Sequence, residues 1–241
     1  MSFKTFLIAT ASVAVLSSAA LASDLPSRKS AAAAPILAVS NAGGLYIGVQ
    51  GGVAQLSDKH SDLNSWYYNF QNFDQKGTSA LIGLKAGYDF QFGNAIVGAL
   101  VEGSLGQLKA GKEIAPSSPS YDLNSKINFL GSARGKLGFN MGAISVFTTA
   151  GLAFSDAKHS YNETDGSGEY YRNSGQRFGY VLGLGGDIAV SRNVSVGLDV
   201  SHYIFGKKTY ELLNSDGSGT GSFFSQKDNV TSIMLSVNYK F

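Results

Sequence analysis

The last residues of the chain, 230–241, alternate between apolar and polar side chains with a period of two. From Thr231 onward, the odd positions hold threonine, isoleucine, leucine, valine, tyrosine and phenylalanine, and the even positions hold serine, methionine, serine, asparagine and lysine. This is the period of a β-strand with one apolar and one polar face. With Tyr239 and Phe241 on its apolar face, such a strand would aggregate at the edge of a soluble sheet, whereas aromatic strand ends are typical of a barrel in a membrane.

The same period recurs along the chain in eight runs, which cover residues 45–54, 79–90, 95–106, 126–139, 144–155, 178–188, 194–201 and 230–241. The charged residues within these runs, and Arg177 directly before the sixth, fall in the polar phase: Lys85, Asp89, Glu102, Lys126, Arg134, Lys136, Arg177, Asp187, Asp199 and Lys240. In the fourth run this phase predicts that Lys126 points to the polar side and Ile127 to the apolar side. A soluble sandwich would show the same alternation, so the connections between the runs have to distinguish the two architectures.

The connections alternate between long and short. The long ones cover residues 57–76, 109–124, 156–175 and 206–228, and the short ones lie at 91–94, 140–143 and 191–193. Membrane barrels have short periplasmic turns and long outer loops, and strands of about 9–11 residues suffice to cross the bilayer when tilted. The sequence therefore predicts an all-β fold, an eight-stranded antiparallel up-and-down transmembrane β-barrel formed by residues 44–241.

A spanning helix is the alternative for residues 137–154, which carry no charge. This stretch contains Asn140, Gly142 and Ser145, and it places β-branched and aromatic residues at alternate positions. Both features favour two strands joined by a turn over a helix.

The first residues predict export. Lys4 precedes an apolar run from Phe6 to Val15, and small residues follow up to Ala22, which is the pattern of a secretory signal peptide over residues 1–22. Residues 23–43 are rich in alanine and lack apolar periodicity, so we expect a flexible periplasmic segment. The chain has no cysteine and a net charge of +2, which indicates neither a thiolate site nor a nucleic-acid partner.

Six charged residues are predicted to point into the barrel at middle depth. They are the acids Glu102, Asp187 and Asp199 and the bases Lys85, Arg134 and Lys136. An eight-stranded barrel has room inside for little more than side chains, and buried charges persist when they are paired. The balance of signs favours an internal salt-bridge network. The alternative is that these residues line a narrow ion path.

A lipid A-modifying enzyme is a further hypothesis, because the chain has three histidines, His60, His159 and His202. Nucleophilic catalysis needs a serine, a histidine and an acid within hydrogen-bonding reach. Ser201 and His202 are adjacent on one run, so their side chains are expected to point to opposite faces. His159 lies beside Ser160 at the foot of a predicted loop, near Glu163 and Asp165. A surface histidine is favoured over a catalytic one in each case.

The first long connection is rich in aromatic residues, with Trp66, Tyr67 and Tyr68 among them. Aromatic residues at this height are typical of the outer interfacial girdle. Haem iron also accepts tyrosine or histidine as an axial ligand, which makes Tyr67, Tyr68 and His60 weak candidates for a haem site. The girdle is the favoured interpretation, and we predict neither a cofactor nor a metal.

The runs containing "VEGSLG", "NFLGSARGKLGF" and "FGYVLGLGGDIAV", the ending "SVNYKF" and the "SDLPSRK" segment resemble the alphaproteobacterial opacity-like surface antigens. This resemblance implies an eight-stranded outer-membrane protein of a Gram-negative bacterium, in a family with immunogenic, porin-like and haemin-binding members. The chain departs from the family at the first run, where Gly43-Gly44-Leu45-Tyr46 replaces the usual Trp-Thr-Gly-aromatic start.

We therefore expect a monomeric outer-membrane surface protein, structural, antigenic or adhesive through its outer loops, without catalysis. The alternatives are a small porin-like channel and a haemin receptor. The expected partners are outer-membrane lipid and lipopolysaccharide, a host or surface ligand of the loops, and the outer-membrane assembly machinery. The final strand with Tyr239 and Phe241 is the candidate element for recognition by that machinery.

Overall fold

The computed structural model describes residues 43–62, 73–114, 121–163, 170–213 and 219–241. Their backbone forms β-strands joined by short turns. The strands are β1 (Gly44–Asp62), β2 (Phe73–Phe92), β3 (Ala95–Ile114), β4 (Tyr121–Asn140), β5 (Ile144–Glu163), β6 (Tyr170–Ala189), β7 (Val194–Phe205), β8 (Lys208–Leu213) and β9 (Gly219–Lys240). No helix in these ranges is both long and apolar enough to span a bilayer.

The strands close into a barrel in which every neighbour is antiparallel. β1 to β7 pair in chain order, β7 pairs with β9, and β9 pairs with β1 to complete the ring. β8 continues β7 after a break at Gly206 and Lys207, and it pairs with β9 on the same side as β7 does. β7 and β8 thus occupy one position in the wall. The predicted eight-stranded up-and-down barrel is confirmed.

The two phases of each strand lie on opposite sides of the wall. Apolar residues such as Ile82 and Phe178, each 71% exposed, cover the outside, whereas Ser132 and Arg134 are buried inside. Because adjacent side chains on a strand alternate between faces, the apolar phase forms a continuous outer surface. A surface of this kind is stable in a lipid environment.

The strands are longer than the sequence predicted. β2 to β6 each contain 20 residues, roughly twice the number needed to cross a membrane. They continue into the ranges that the alternation had assigned to the long connections, such as 57–76 and 109–124. The extra length extends the barrel wall on the side of the long connections, beyond the apolar outer surface.

A β-bulge at Asn128 reverses the phase of β4. Phe129 pairs with Asp156 of β5, and Ile127 pairs with the next residue, Ala157, so that Asn128 is the extra residue. Ile127 is consequently completely buried inside the barrel, and the sequence-based prediction that it faces outward is wrong. The alternation along the strand then places Lys126 on the outer face, which corrects its predicted inward position.

Glycines on the inner face make room for large inward side chains. A β-carbon built on Gly185 would lie 2.6 Å from the ring of Phe147, and one built on Gly138 would lie 2.8 Å from the β-carbon of the same residue. Likewise, a β-carbon at Gly87 would lie 2.5 Å from the hydroxyl of Tyr46. Glycine at these inner positions therefore serves packing inside a narrow barrel.

Candidate functional site

Arg134 lies at the centre of a buried polar cluster halfway along the barrel. Its guanidinium forms an ion pair with Glu102 of β3 and a second one with Asp199 of β7, at 3.3 Å. It also donates hydrogen bonds to the hydroxyls of Ser132 (2.7 Å) and Ser201 (2.6 Å). The cluster therefore joins β3, β4 and β7 across the barrel interior.

Tyr203 connects the two charges of the main ion pair. Its hydroxyl accepts a hydrogen bond from Arg134 Nη2 at 2.8 Å and donates one to Glu102 Oε1 at 2.6 Å. The Arg134 guanidinium carbon also lies 5.5 Å from the centre of the Tyr203 ring. Ser132 donates a further bond to Glu102, at 3.0 Å. The carboxylate and the guanidinium are thus satisfied by partners on several strands, as buried charges require.

A second charged cluster lies toward the short turns. Lys136 Nζ is 2.8 Å from Asp89 Oδ2 and 3.8 Å from Asp187 Oδ2. The same ammonium group lies 4.2 Å from the centre of the Phe147 ring and 5.3 Å from that of Tyr46. Aromatic faces attract cations at these distances, so Lys136 is surrounded by negative charge and by π systems.

An apolar layer fills the barrel above the Arg134 cluster, toward the long connections. It contains Ala54, Leu56, Leu81, Leu108, Ile127, Leu130, Ala153, Ala157, Val181, Tyr203, Phe205, Val230 and Met234. These residues come from every position of the wall, and several of them, including Leu56 and Phe205, are completely buried. Among the described residues, this layer presents apolar side chains to the barrel interior, which disfavours a hydrated ion at this height.

A third ion pair lies near the upper end of the apolar layer. Arg177 of β6 pairs with Asp228 of β9 and donates a hydrogen bond to the carbonyl of Gly206 at 3.1 Å. Asp228 is the register partner of Asp58 on β1, and both aspartates are completely buried. The guanidinium of Arg177 thus holds the break between β7 and β8 against β6 and β9.

The structure places five of the six predicted interior residues in two groups. Glu102, Arg134 and Asp199 meet in the central cluster, and Lys136 and Asp187 meet in the lower one. Lys85 is half-buried and is the register partner of Glu102 across β2 and β3.

Asp89, Tyr203 and Asp228 take part in these clusters but were not among the six residues. The polar phase already included Asp89, and Asp228 lay within a predicted loop. Tyr203 was missed because it follows the predicted end of its run. Extending the alternation of each run beyond its predicted ends would have placed Tyr203 and Asp228 inside the barrel.

Ser201 and His202 do not form a catalytic pair. Ser201 is buried inside and bonds to Arg134, whereas His202 is exposed on the outer face, with Nδ1 2.9 Å from Thr231 Oγ1. The prediction that these neighbours diverge is confirmed. His159 lies on β5. Among the described residues, no three histidine, aspartate or glutamate side chains are grouped as metal ligands.

Of the three candidate haem ligands, only His60 belongs to the described residues. Tyr67 and Tyr68 lie outside the described residues, and His60 lies near the end of β1, opposite Phe73 of β2 and Gln226 of β9. Haem binding stays a prediction of the sequence.

The final strand closes the barrel on its lower side. The backbone N–H of Phe241 donates to the carbonyl of Leu45 at 3.0 Å. The rings of Tyr239 and Phe241 contact each other edge to face, with their centres 5.1 Å apart, and both are exposed on the outer surface. They belong to a group of outward aromatic residues at the end of the short turns, with Tyr88, Phe90 and Phe139.

The family model described as the outer membrane protein beta-barrel domain matches residues 8–241. The 22 kDa outer membrane protein of Rhizobium leguminosarum bv. viciae is 28% identical over 208 residues, which cover 86% of this chain and 82% of the relative. The 31 kDa outer-membrane immunogenic protein of Brucella melitensis is 27% identical over 249 residues, with 95% and 96% coverage. Among solved structures, the outer membrane protein OprG from Pseudomonas aeruginosa is 16% identical, with a TM-score of 0.49 and 83% and 96% coverage.

Proposed function

The chain belongs to the outer membrane protein β-barrel domain family, and from that premise we propose that it is a closed, monomeric anchor that displays its long connections at the cell surface. It is an integral protein of the Gram-negative outer membrane. The proposed role is antigenic or adhesive, with neither transport through the barrel nor catalysis.

The interior filling is the observation that carries this proposal. The apolar layer around Phe205 and the Arg134 cluster below it occupy the barrel at two successive heights. A hydrated ion would have to lose its hydration shell in the apolar layer and break buried ion pairs in the Arg134 cluster. A role outside the barrel lumen therefore fits the chain better than a porin-like one.

Two further observations support a surface role. The strands extend beyond the apolar outer surface on the side of the long connections, so the strand ends there lie outside the lipid-facing surface. In addition, the Brucella relative is named an immunogenic outer-membrane protein. The divergence of Ser201 and His202 supports the absence of a hydrolase site at that position.

The same proposal includes the assembly of the barrel. The C-terminal strand, with its exposed Tyr239 and Phe241, would be the element that the outer-membrane assembly machinery recognises, and the apolar surface would contact outer-membrane lipid. A host or surface ligand would bind the long connections.

Conductance of the folded protein in a planar lipid bilayer tests the proposal. We expect no steady conductance from the wild type. The comparison variant, Phe205→Ala with Arg134→Ala, removes one large side chain from each layer and should conduct more than the wild type. A stable ohmic current through the wild type would overturn the closed barrel and support the porin-like alternative.

A further inference from the structure

Lysines occupy the same register position on three neighbouring strands. Lys109 of β3 pairs with Lys126 of β4, and Lys126 pairs with Lys158 of β5. Lys109 is exposed and Lys126 is half-exposed. Because the bulge at Asn128 turns Lys126 outward, Lys109 and Lys126 lie side by side on the outer face of the wall. We call these three positions the lysine row.

The lysine row is unfavourable without an anion. Directly opposed residues on antiparallel strands have their β-carbons about 4.5–5.5 Å apart, and like charges there destabilise the sheet. The next register partner of Lys158, on β6, is the uncharged Ser174. Asp156 is the acidic residue two positions before Lys158 on β5. Lys109 and Lys126 outnumber this one aspartate, so this part of the surface is positive.

An aromatic row just below the lysine row indicates where the lysine row lies relative to the membrane. Phe129 of β4 and Phe154 of β5 lie next to each other, with ring centres 5.9 Å apart, and Phe178 of β6 is the register partner of Phe154. Aromatic rows of this kind mark the membrane interface. Lys126 follows Phe129 on the outer face, so the lysine row lies at the level of the lipid headgroups, on the side of the long connections.

We propose that Lys109 and Lys126, in the lysine row, form a binding site for the phosphate groups of lipopolysaccharide in the outer leaflet. Ammonium groups are strong donors to phosphate oxygens, and a bound phosphate would remove the repulsion between neighbouring lysines. The proposal rests on the outer-membrane location and on the orientation assigned above. It does not depend on whether the barrel conducts.

Native mass spectrometry of the folded protein in detergent tests the site, with bisphosphorylated lipid A as the probe. Each basic residue near an anionic lipid surface contributes about a fivefold factor in affinity, so we expect Lys109→Ala with Lys126→Ala to weaken binding roughly 20- to 30-fold. Lys109→Arg with Lys126→Arg should retain it. Lipid A without phosphates should bind the wild type weakly and be unaffected by either change.

The matched control removes two exposed lysines from the opposite wall, Lys207→Ala with Lys227→Ala. Lys227 is opposite Lys59 in register, but the other partner of Lys59 is the acidic Asp74. We expect this control to bind lipid A like the wild type.

Three results would overturn the site. The first is that Lys109→Ala with Lys126→Ala binds lipid A as tightly as the wild type. The second is that the control pair loses as much affinity for lipid A as the alanine pair in the lysine row. The third is that lipid A without phosphates binds the wild type as tightly as bisphosphorylated lipid A. Displacement of lipid A by inorganic phosphate alone would assign the row to free phosphate and not to the lipid. A heat-dependent shift in gel mobility confirms that each variant has folded.

Discussion

Arg134 on β4 and Glu102 on β3 form an ion pair in the barrel interior, and their side chains are only 1% and 7% exposed. The pair is completed by the hydroxyls of Ser132 and Tyr203. Since both charges are removed from water, their stability depends on these partners, and the loss of any of them leaves an uncompensated group.

Arg134→Ala should therefore lower the free energy of unfolding by roughly 3–5 kcal/mol, as for a buried pair that loses one member. Urea unfolding of the barrel in lipid vesicles measures this change. Arg192→Ala, at an exposed arginine in the turn between β6 and β7, is the matched control and should be close to neutral. If Arg134→Ala and the wild type have the same free energy of unfolding, the central cluster does not contribute to the stability of the barrel.

Tyr203→Phe isolates the hydroxyl that connects Arg134 and Glu102. Its removal leaves the ring in place but deprives two buried charged groups of a partner, which should cost about 1–3 kcal/mol. The control is Tyr180→Phe, since Tyr180 is 69% exposed on the outer surface. If both substitutions change stability by the same amount, the Tyr203 hydroxyl makes no specific contribution.

Gly185→Ala should destabilise the barrel by about 1–3 kcal/mol, the range for overpacking of a filled interior. The new β-carbon would lie 2.6 Å from the Phe147 ring and 2.8 Å from the carbonyl oxygen of Leu198. Gly135→Ala is the control, because the nearest atom to a β-carbon there is 3.8 Å away. The comparison uses the same unfolding assay, and a neutral Gly185→Ala would mean that Phe147 can move aside.

Single cysteines can test the phase reversal at Asn128, since the chain has no cysteine of its own. Lys126→Cys should react with a water-soluble maleimide in the folded barrel, because its side chain lies on the outer face above the aromatic row. Ile127→Cys should react only after unfolding, because residue 127 is buried in the apolar layer. Mass spectrometry detects the modification.

Leu137→Cys serves as the reference for a lipid-facing position, since Leu137 is exposed on the apolar outer surface. It should be protected from the water-soluble reagent in vesicles and exposed to a lipid-soluble one. Rapid labelling of Ile127→Cys together with protection of Lys126→Cys would contradict the bulge and restore the phase predicted from the alternation.

The sequence by itself determined which residues face lipid over most of the wall. Along β2 or β9, neighbouring side chains must point to opposite sides, so alternation alone assigns Ile82 outward and Ser232 inward. The restriction of charges to one phase, together with the alternation of long and short connections, was sufficient to predict a membrane barrel and its number of strands. The interior charges Arg134, Glu102 and Asp199 followed from the same phase.

Only the tertiary structure decided which charges meet, where β4 reverses its phase and how far the strands extend. Arg134 finds Glu102 and Asp199 because β3, β4 and β7 curve around a common interior, a relationship between positions far apart in the chain. The bulge at Asn128 exists because β4 has one more residue than its partner β5 at that point, which is a property of two strands together. Local alternation carries no information about the partner strand, and for that reason it placed Ile127 and Lys126 on the wrong sides of the wall.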